Sequence, residues 1–204
     1  TGEYGTRQKG MAVLLDMLWS SGAAYPISCT EENAERYAVL MTVVKIEKWE
    51  YERANAVGIA RCVARWGSKD APHYQDKARQ EDNRTAEVAS ALCELAVAKL
   101  TNSYWHGHVW HWTEHAKYRD LPDVGKNTEV RRLRTRDTVA IRRRQNDREN
   151  LKVFAARVIG PEMDSVEVYG YISQKQGWEI GVASDYDPEN TRVVHIDQLT
   201  KYEG

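Results

Sequence analysis

Apolar residues recur at the three- and four-residue spacing of an amphipathic helix in three stretches, residues 11–19, 30–65 and 85–100. Within the second stretch, the β-branched run Thr42-Val43-Val44 and the interior Gly58 leave room for a kink or a break. The residues expected to be buried there are Tyr37, Leu40, Met41, Val44, Trp49, Val57, Ala60 and Val63. The first part of the chain is therefore predicted to be helical.

The apolar period changes to two in the second half of the chain, which predicts β-strands. We expect strands over residues 138–143, 151–159, 165–172 and 192–196, separated by turns. Residues 174–181 fit neither period. Helices followed by a run of strands predict an α+β fold whose strands form a mixed or antiparallel β-meander.

Two regions are expected on this pattern, an N-terminal helical region over residues 1–84 and an α+β core over residues 85–204. Residues 67–84, which are polar and contain Pro72, read as the linker that ends the first region.

Composition narrows the class of protein. Hydrophobic residues make up 42% of the chain, enough for a sizeable core, yet no segment has the roughly 18 consecutive apolar residues of a membrane span. The three cysteines are scattered without metal-binding spacing, which argues against a disulfide framework and for a reducing compartment. We therefore expect a cytoplasmic protein without a membrane partner.

Charge is distributed unevenly along the chain. The net charge is −1, but residues 126–148 contain nine Lys or Arg and three Asp or Glu, hence +6, which leaves −7 for the remainder. A segregated basic segment favours a polyanionic partner such as DNA, although a solvated surface or ion pairs with acidic helices would account for it as well. The candidate phosphate contacts are Lys126, Arg132, Arg134, Arg136, Arg142, Arg143 and Arg144.

A compact acidic and basic constellation lies in the stretch LPDVGKNTEVRRLRTR, residues 121–136. Residues two apart on a strand point to the same face, so Glu129 and Arg131 can share one site. A short polar turn can bring Asp123 to the edge of that site. Two carboxylates beside a cation are suitable for holding a divalent metal against a phosphate.

At these residues the chain resembles the PD-(D/E)xK nuclease superfamily, and from about Thr30 it looks like small bacteriophage-type members. The signature of a Pro-Asp, a spacer, then an acid, any residue and a lysine is matched by Pro122-Asp123, five residues and Glu129-Val130-Arg131. Arginine stands at the lysine position. The resemblance implies a PD-(D/E)xK-like core, a metal-dependent nuclease site with Mg²⁺ or Mn²⁺, and one more acid from the preceding helix, where Glu94 matches best.

Residues 104–115, YWHGHVWHWTEH, contain four of the six histidines and three of the seven tryptophans. Read as a strand, they place His106, His108, Trp110 and Trp112 on one face. This pattern is open to four interpretations: a histidine metal site, core packing, an aromatic platform for bases or sugars, or histidines that line the nuclease cleft or cap the sheet. The last is favoured over a metal site.

The leading hypothesis is a divalent-metal-dependent nuclease acting on DNA, with Asp123, Glu129 and Arg131 as catalytic residues and Glu94, Asp123 and Glu129 as metal ligands. If the chain is phage-encoded, it acts in the host cell cytoplasm. The alternative is a catalytically inactive nuclease-like scaffold that binds nucleic acid or a protein partner. The N-terminal helices are the expected surface for a partner protein or a homo-oligomer.

Overall fold

The computed structural model describes residues 41–65, 83–118, 120–143 and 150–204. The helix expected over residues 11–19, most of the expected linker, the first part of the helix expected over 30–65, and Arg144 lie outside these residues.

Helices precede most of the strands in the described residues. In chain order they are β1 (Thr42–Lys45), α1 (Lys48–Ala64), α2 (Asn83–Leu100), a 3₁₀ turn (Trp112–Glu114), α3 (His115–Tyr118), β2 (Thr128–Arg132), β3 (Thr138–Arg142), β4 (Lys152–Ile159), β5 (Ser165–Ser173), α4 (Gln174–Ile180), β6 (Val182–Ala183), β7 (Thr191–His195) and a 3₁₀ turn (Ile196–Gln198). No helix in the described ranges is both long and apolar enough to cross a membrane.

The strands form two sheets. The first has the order β1-β5-β4-β2, with β2 parallel to β4 and the other neighbours antiparallel. The second has the order β3-β7-β6 and is antiparallel. The predicted α+β class and mixed strand pairing are therefore confirmed. A continuous meander is not formed, because the chain leaves the first sheet after β2, places β3 in the second, and returns with β4.

The helix expected over residues 30–65 is wrong in its described part between Thr42 and Lys45, which form β1. This β-branched run pairs antiparallel with β5, and Val44 lies opposite Val166 in the core. β-Branched residues fit a pleated surface better than a helix, so the run that suggested a kink is a strand. Trp49 and Val63, expected to be buried, are 62% and 59% exposed on α1.

One core lies between α2 and the first sheet. Leu92, Ala96 and Val97 of α2 are fully buried and pack in one cluster with Val130 of β2 and Phe154 of β4. A second core lies on the opposite face of the first sheet, where side chains of β4 and β5 meet those of the second sheet. Its fully or almost fully buried members include Val139, Ile141, Ala155, Ile172 and Val194. The first sheet is thus covered on both faces.

Helix α1 packs mainly against α2. Its buried residues are Glu50, Ala54 and Gly58, which recur every four positions and form one narrow line along the helix. A methyl group built on Gly58 would lie 2.5 Å from the Cα of Val88. The two backbones therefore touch at this point, and only glycine permits the approach.

We predict that Gly58→Ala destabilises the protein. Helix propensity alone would favour alanine by about 1 kcal/mol, but the added methyl must push α1 away from α2, at a cost of roughly 1–3 kcal/mol. Urea unfolding followed by circular dichroism measures the balance. Val63→Ala, at an exposed position of the same helix, is the matched control and should change the unfolding free energy by less than about 0.5 kcal/mol. An alanine variant as stable as the wild type would contradict the close contact.

Candidate functional site

Glu129 and Arg131 lie side by side on β2, which is an edge of the first sheet within the described residues. They are in register with Val153 and Ala155 of β4, whose side chains belong to the core between the two sheets. Glu129 is 6% exposed, and its carboxylate forms an ion pair with the Arg131 guanidinium. The Nε of Arg131 is buried and has no hydrogen-bond partner among the described residues.

Asp123 lies in the loop that covers the outer edge of β2. Its Oδ2 accepts a hydrogen bond of 2.8 Å from the backbone N–H of Val130. The Asp123 N–H in turn donates to the carbonyl of Thr128, and Val124 forms an antiparallel bridge with Thr128. Since Val130 separates Glu129 from Arg131, this hydrogen bond joins the Asp123 carboxyl group to the middle residue of the Glu-Val-Arg triplet.

Two histidines hold this loop from its other side. The Nε2 of His106 lies 2.7 Å from the carbonyl oxygen of Gly125, and the Nε2 of His108 lies 3.2 Å from that of Pro122. A carbonyl only accepts, so each Nε2 carries the proton. The backbone N–H of His106 also donates to the carbonyl of Asp123. The acid at position 123 is therefore fixed between β2 and the histidine segment.

Residues 104–115, considered above as a strand, do not form one. The segment makes one antiparallel bridge, between Trp105 and Val124, and from Trp112 it turns into 3₁₀ and then helical structure. Gly107, between the two histidines, has a φ of +56°, a left-handed conformation that interrupts a strand. The expected side-by-side placement of His106, His108 and Trp110 is nevertheless present, because their rings are in contact.

Glu94 of α2 is held by residues from two other elements. The guanidinium of Arg61 donates to both carboxylate oxygens, at 2.7 and 2.8 Å, and the indole N–H of Trp105 donates to one of them at 3.0 Å. Arg61 also donates from Nε to the carbonyl of His108. The Glu94 side chain is only 8% exposed, so its carboxylate requires these charge-assisted partners.

The three acids do not share one face of the sheet. Glu129 projects toward the second sheet, whereas Glu94 belongs to the helix packed on the opposite face, where Val130 points. Asp123, beyond the edge strand, is close enough for the charges of both Glu94 and Glu129 to affect its pKa. Burial of its carboxyl group, followed by the charges of Glu94 and Glu129, raises its pKa from 3.8 to about 8, against the lowering effects of the Val130 N–H and Arg131.

Sequence reasoning did not identify Arg61, although a signal was present. Arg61 and Arg65, on the last turn of α1 and at its C-cap, are four apart, while Glu87 and Glu94 are seven apart on α2. In the antiparallel helix pair Arg61 meets Glu94, and Arg65 donates to Glu87 at 2.5 Å. Arginines one turn apart at the end of one helix and glutamates on one face of the next helix therefore indicate ion pairs between the two helices.

The candidate phosphate-binding residues are dispersed. Arg132 points away from Glu129, and its guanidinium lies 3.4 Å from the carbonyl oxygen of Ala86 on α2. Lys126 is exposed in the turn that follows Asp123. Exposed residues on the strand connection and at the end of β3 complete the described members of the set: Arg134, Arg136, Arg142 and Arg143.

The donor chemistry of Asp123 and Glu129 fits a hard divalent cation, since carboxylate oxygens are the ligands that Mg²⁺ prefers. The geometry is less complete. Among the described residues, no three His, Cys, Asp or Glu side chains are placed to hold one metal ion. Glu94, the third acid expected, has both oxygens engaged by Arg61. A cation at this position would therefore have Asp123 and Glu129 as its side-chain ligands.

Comparison with known proteins adds no relative: no family model matches the chain, and neither a curated protein nor a solved structure matches it. The resemblance to PD-(D/E)xK nucleases is accordingly carried by the residues named above.

The raised pKa of Asp123 predicts a pH-dependent stability. Between pH 4 and pH 8 the native carboxyl group keeps a proton that the unfolded chain loses, so this group's contribution falls as pH rises through that window. Asp123→Asn should remove the decline, which is limited to about 1.4 kcal/mol per pH unit for one group. Urea unfolding at half-unit steps from pH 4.5 to 8.5 measures it. The exposed Asp185→Asn should follow the wild-type curve. Parallel curves for Asp123→Asn and wild type would contradict the assignment.

Proposed function

We propose that this protein is a divalent-metal-dependent nuclease that hydrolyses phosphodiester bonds in DNA at the edge of β2. Asp123 and Glu129 would hold Mg²⁺ or Mn²⁺, and Arg131 takes the position of the lysine in the resembled signature. The observation that supports this most directly is the hydrogen bond from Val130 N–H to Asp123, which joins the acid of the Pro-Asp pair to the acid and the cation of the triplet.

The bound cation would lower the pKa of its water and neutralise charge on the scissile phosphate. The chain's own residues have separate tasks. Arg131 stays protonated, so it stabilises negative charge and does not accept a proton. Its side chain is 23% exposed and pairs with Glu129 through a terminal nitrogen, so the guanidinium is partly accessible to a phosphate oxygen. The two histidines fix the loop that carries Asp123.

Glu94 acts at a distance in this proposal. Its carboxylate belongs to the Arg61 ion pair, and its negative charge helps to raise the pKa of Asp123. A cation bound by Asp123 and Glu129 would relieve the repulsion among these acids, since it adds the positive charge that the buried cluster lacks. Metal binding should therefore be coupled to loss of the Asp123 proton.

A second candidate function is DNA binding without cleavage on the same scaffold, or binding of a protein partner. It is favoured by one observation, namely that Glu94 and Glu129 each already have a guanidinium partner. Two arginines then provide the positive charge that a metal ion would otherwise supply, and the acids serve the stability of the fold.

The two candidates are separated by Glu129→Gln. In a nuclease, loss of the carboxylate should reduce Mg²⁺- or Mn²⁺-dependent cleavage of single-stranded and duplex DNA by at least about 100-fold, on the order of the loss of other essential groups in active sites, while DNA binding persists. Glu167→Gln is the matched control, because Glu167 is also a buried strand glutamate but pairs with Tyr169 on β5. Pure, folded wild-type protein that binds DNA and cuts no substrate with either metal would favour the second candidate.

Arg131→Lys tests the departure from the signature. If arginine supplies only positive charge, lysine should change the cleavage rate modestly, by less than about tenfold. A much larger loss would indicate that the planar guanidinium, with its separate donors, is required.

The salt dependence of DNA affinity tests the basic residues. The slope of log affinity against log salt is about −0.9 per phosphate bound on duplex DNA. Arg142→Ala with Arg143→Ala, at the exposed end of β3, should flatten the slope by about one for each phosphate that the variant no longer binds. Lys48→Ala, which removes a charge from an exposed position of α1, should leave the slope unchanged. An unchanged slope in the double variant would indicate that these arginines belong to a solvated surface and do not bind phosphate.

A further inference from the structure

An uninterrupted row of rings runs beside the loop that carries Asp123. The ring centroids of Tyr104 and His106 are 5.1 Å apart, those of His106 and His108 4.9 Å, and those of His108 and Trp110 5.6 Å. Tyr118 extends the row from Trp110 at 6.1 Å. The two histidine rings are parallel to within 6°, whereas Tyr104 meets its neighbour edge to face.

This row is not part of either hydrophobic core of the described residues. Trp105, whose side chain alternates with the row, is 5% exposed and packs in the core under α2. Tyr104, by contrast, is 68% exposed, and the other rings of the row are partly exposed. A core function explains Trp105, and the loop contacts explain the two histidines, but neither explains the partly exposed Tyr104, Trp110 and Tyr118, because large aromatic side chains gain most of their stabilisation from burial.

The row lies along the candidate site and has cations on its flanks. His106 and His108 bond to the carbonyls of Gly125 and Pro122, on either side of Asp123. Lys126, exposed, follows Gly125 directly, and the ammonium of Lys117 lies 4.7 Å from the Tyr118 ring centroid. At the other side, the guanidinium of Arg53 lies 5.6 Å from the ring centroid of Trp105. Rings with cations near both ends suit a polyanion that also presents flat apolar faces.

We propose that the row formed by Tyr104, His106, His108, Trp110 and Tyr118 is a stacking surface for unpaired bases of single-stranded DNA. This proposal deepens the proposed function, on which it rests, by naming the substrate form. In a duplex each base face is already stacked on its neighbours, whereas an unpaired base offers its face to a ring such as the exposed Tyr104. Lys126 and Lys117 then meet the phosphates on either side.

The stacking surface leads the strand to the candidate site. Because the backbone N–H of Gly125 donates to the carbonyl of Tyr104 at 2.8 Å, a base seated on Tyr104 would lie next to the loop that carries Asp123. Stacking is tolerant of sequence, since every base has a π-face, so we expect little base preference. The geometry therefore assigns substrate form to the row and cleavage to the carboxylates.

Binding in EDTA tests the proposal without any cleavage. Fluorescence anisotropy with labelled oligothymidylate and with a duplex of equal length, both in EDTA at low salt, should show tighter binding of the single strand. Tyr104→Leu and Trp110→Leu should each weaken single-strand binding by roughly 5- to 150-fold, the range for removal of one base stack, and leave duplex binding unchanged. Trp49→Leu and Tyr186→Leu, which change exposed aromatics on α1 and before β7, are the matched controls and should have no effect.

Tyr104→Leu is the decisive variant because its ring is mostly exposed, so its fold should survive, as thermal unfolding would verify. Equal affinity of this variant and wild type for the single strand, or a wild-type preference for duplex DNA, would overturn the stacking surface. The outcome for the nuclease proposal is read separately. Metal-dependent cleavage that is confined to duplex DNA and insensitive to Tyr104 would reject the stacking surface and support the nuclease proposal. Single-strand binding that depends on Tyr104, without any cleavage, would support the stacking surface and reject the nuclease proposal.

Discussion

The close approach of α1 and α2 at Gly58 is the contact on which the candidate site depends. It brings Arg61 within reach of both oxygens of Glu94, one helical turn further along α1. Removing one member of such a buried pair commonly costs about 3–5 kcal/mol, because the other charge is left without compensation. Arg61 also holds the carbonyl of His108, and so the helix pair fixes the segment that supports Asp123. A contact between two backbones thus determines the position of an acid on the far side of the first core.

The edge of β2 imposes a second constraint. An edge strand presents unpaired backbone groups that would template pairing with another chain. Here the loop before β2 covers them, with the Val130 N–H bonded to the Asp123 side chain rather than to another strand. An aspartic acid side chain in this position protects the edge and stays near Glu129 and Arg131. The same bond therefore serves stability and the proposed chemistry.

Local patterns predicted much of this arrangement. The shared face of Glu129 and Arg131 follows from the two-residue period of a strand, and α2, β4 and β5 follow from strong periodicity of one kind over eight residues or more. The pairing of segments that are distant in the chain could not be predicted from local patterns. Nothing near Thr42–Lys45 indicates that its partner is β5, about 120 residues later, so its β-branched run indicates only a kink or a break when the local pattern is considered alone. Likewise, no local signal says that two histidines bond to the loop around Asp123.

Arginine at position 131 is consistent with both the ion pair and a substrate contact. A lysine ammonium is a single compact charge, so pairing with Glu129 would compete with a phosphate for it. A guanidinium has donors that point in different directions, and in this structure one terminal nitrogen pairs with Glu129 while the side chain keeps 23% of its surface exposed. Arginine can therefore neutralise its neighbouring acid and still donate to a phosphate oxygen. Where a glutamate lies two residues away on the same strand face, this division of donors gives arginine a physical advantage over the lysine of the signature, at the expense of any role as a base.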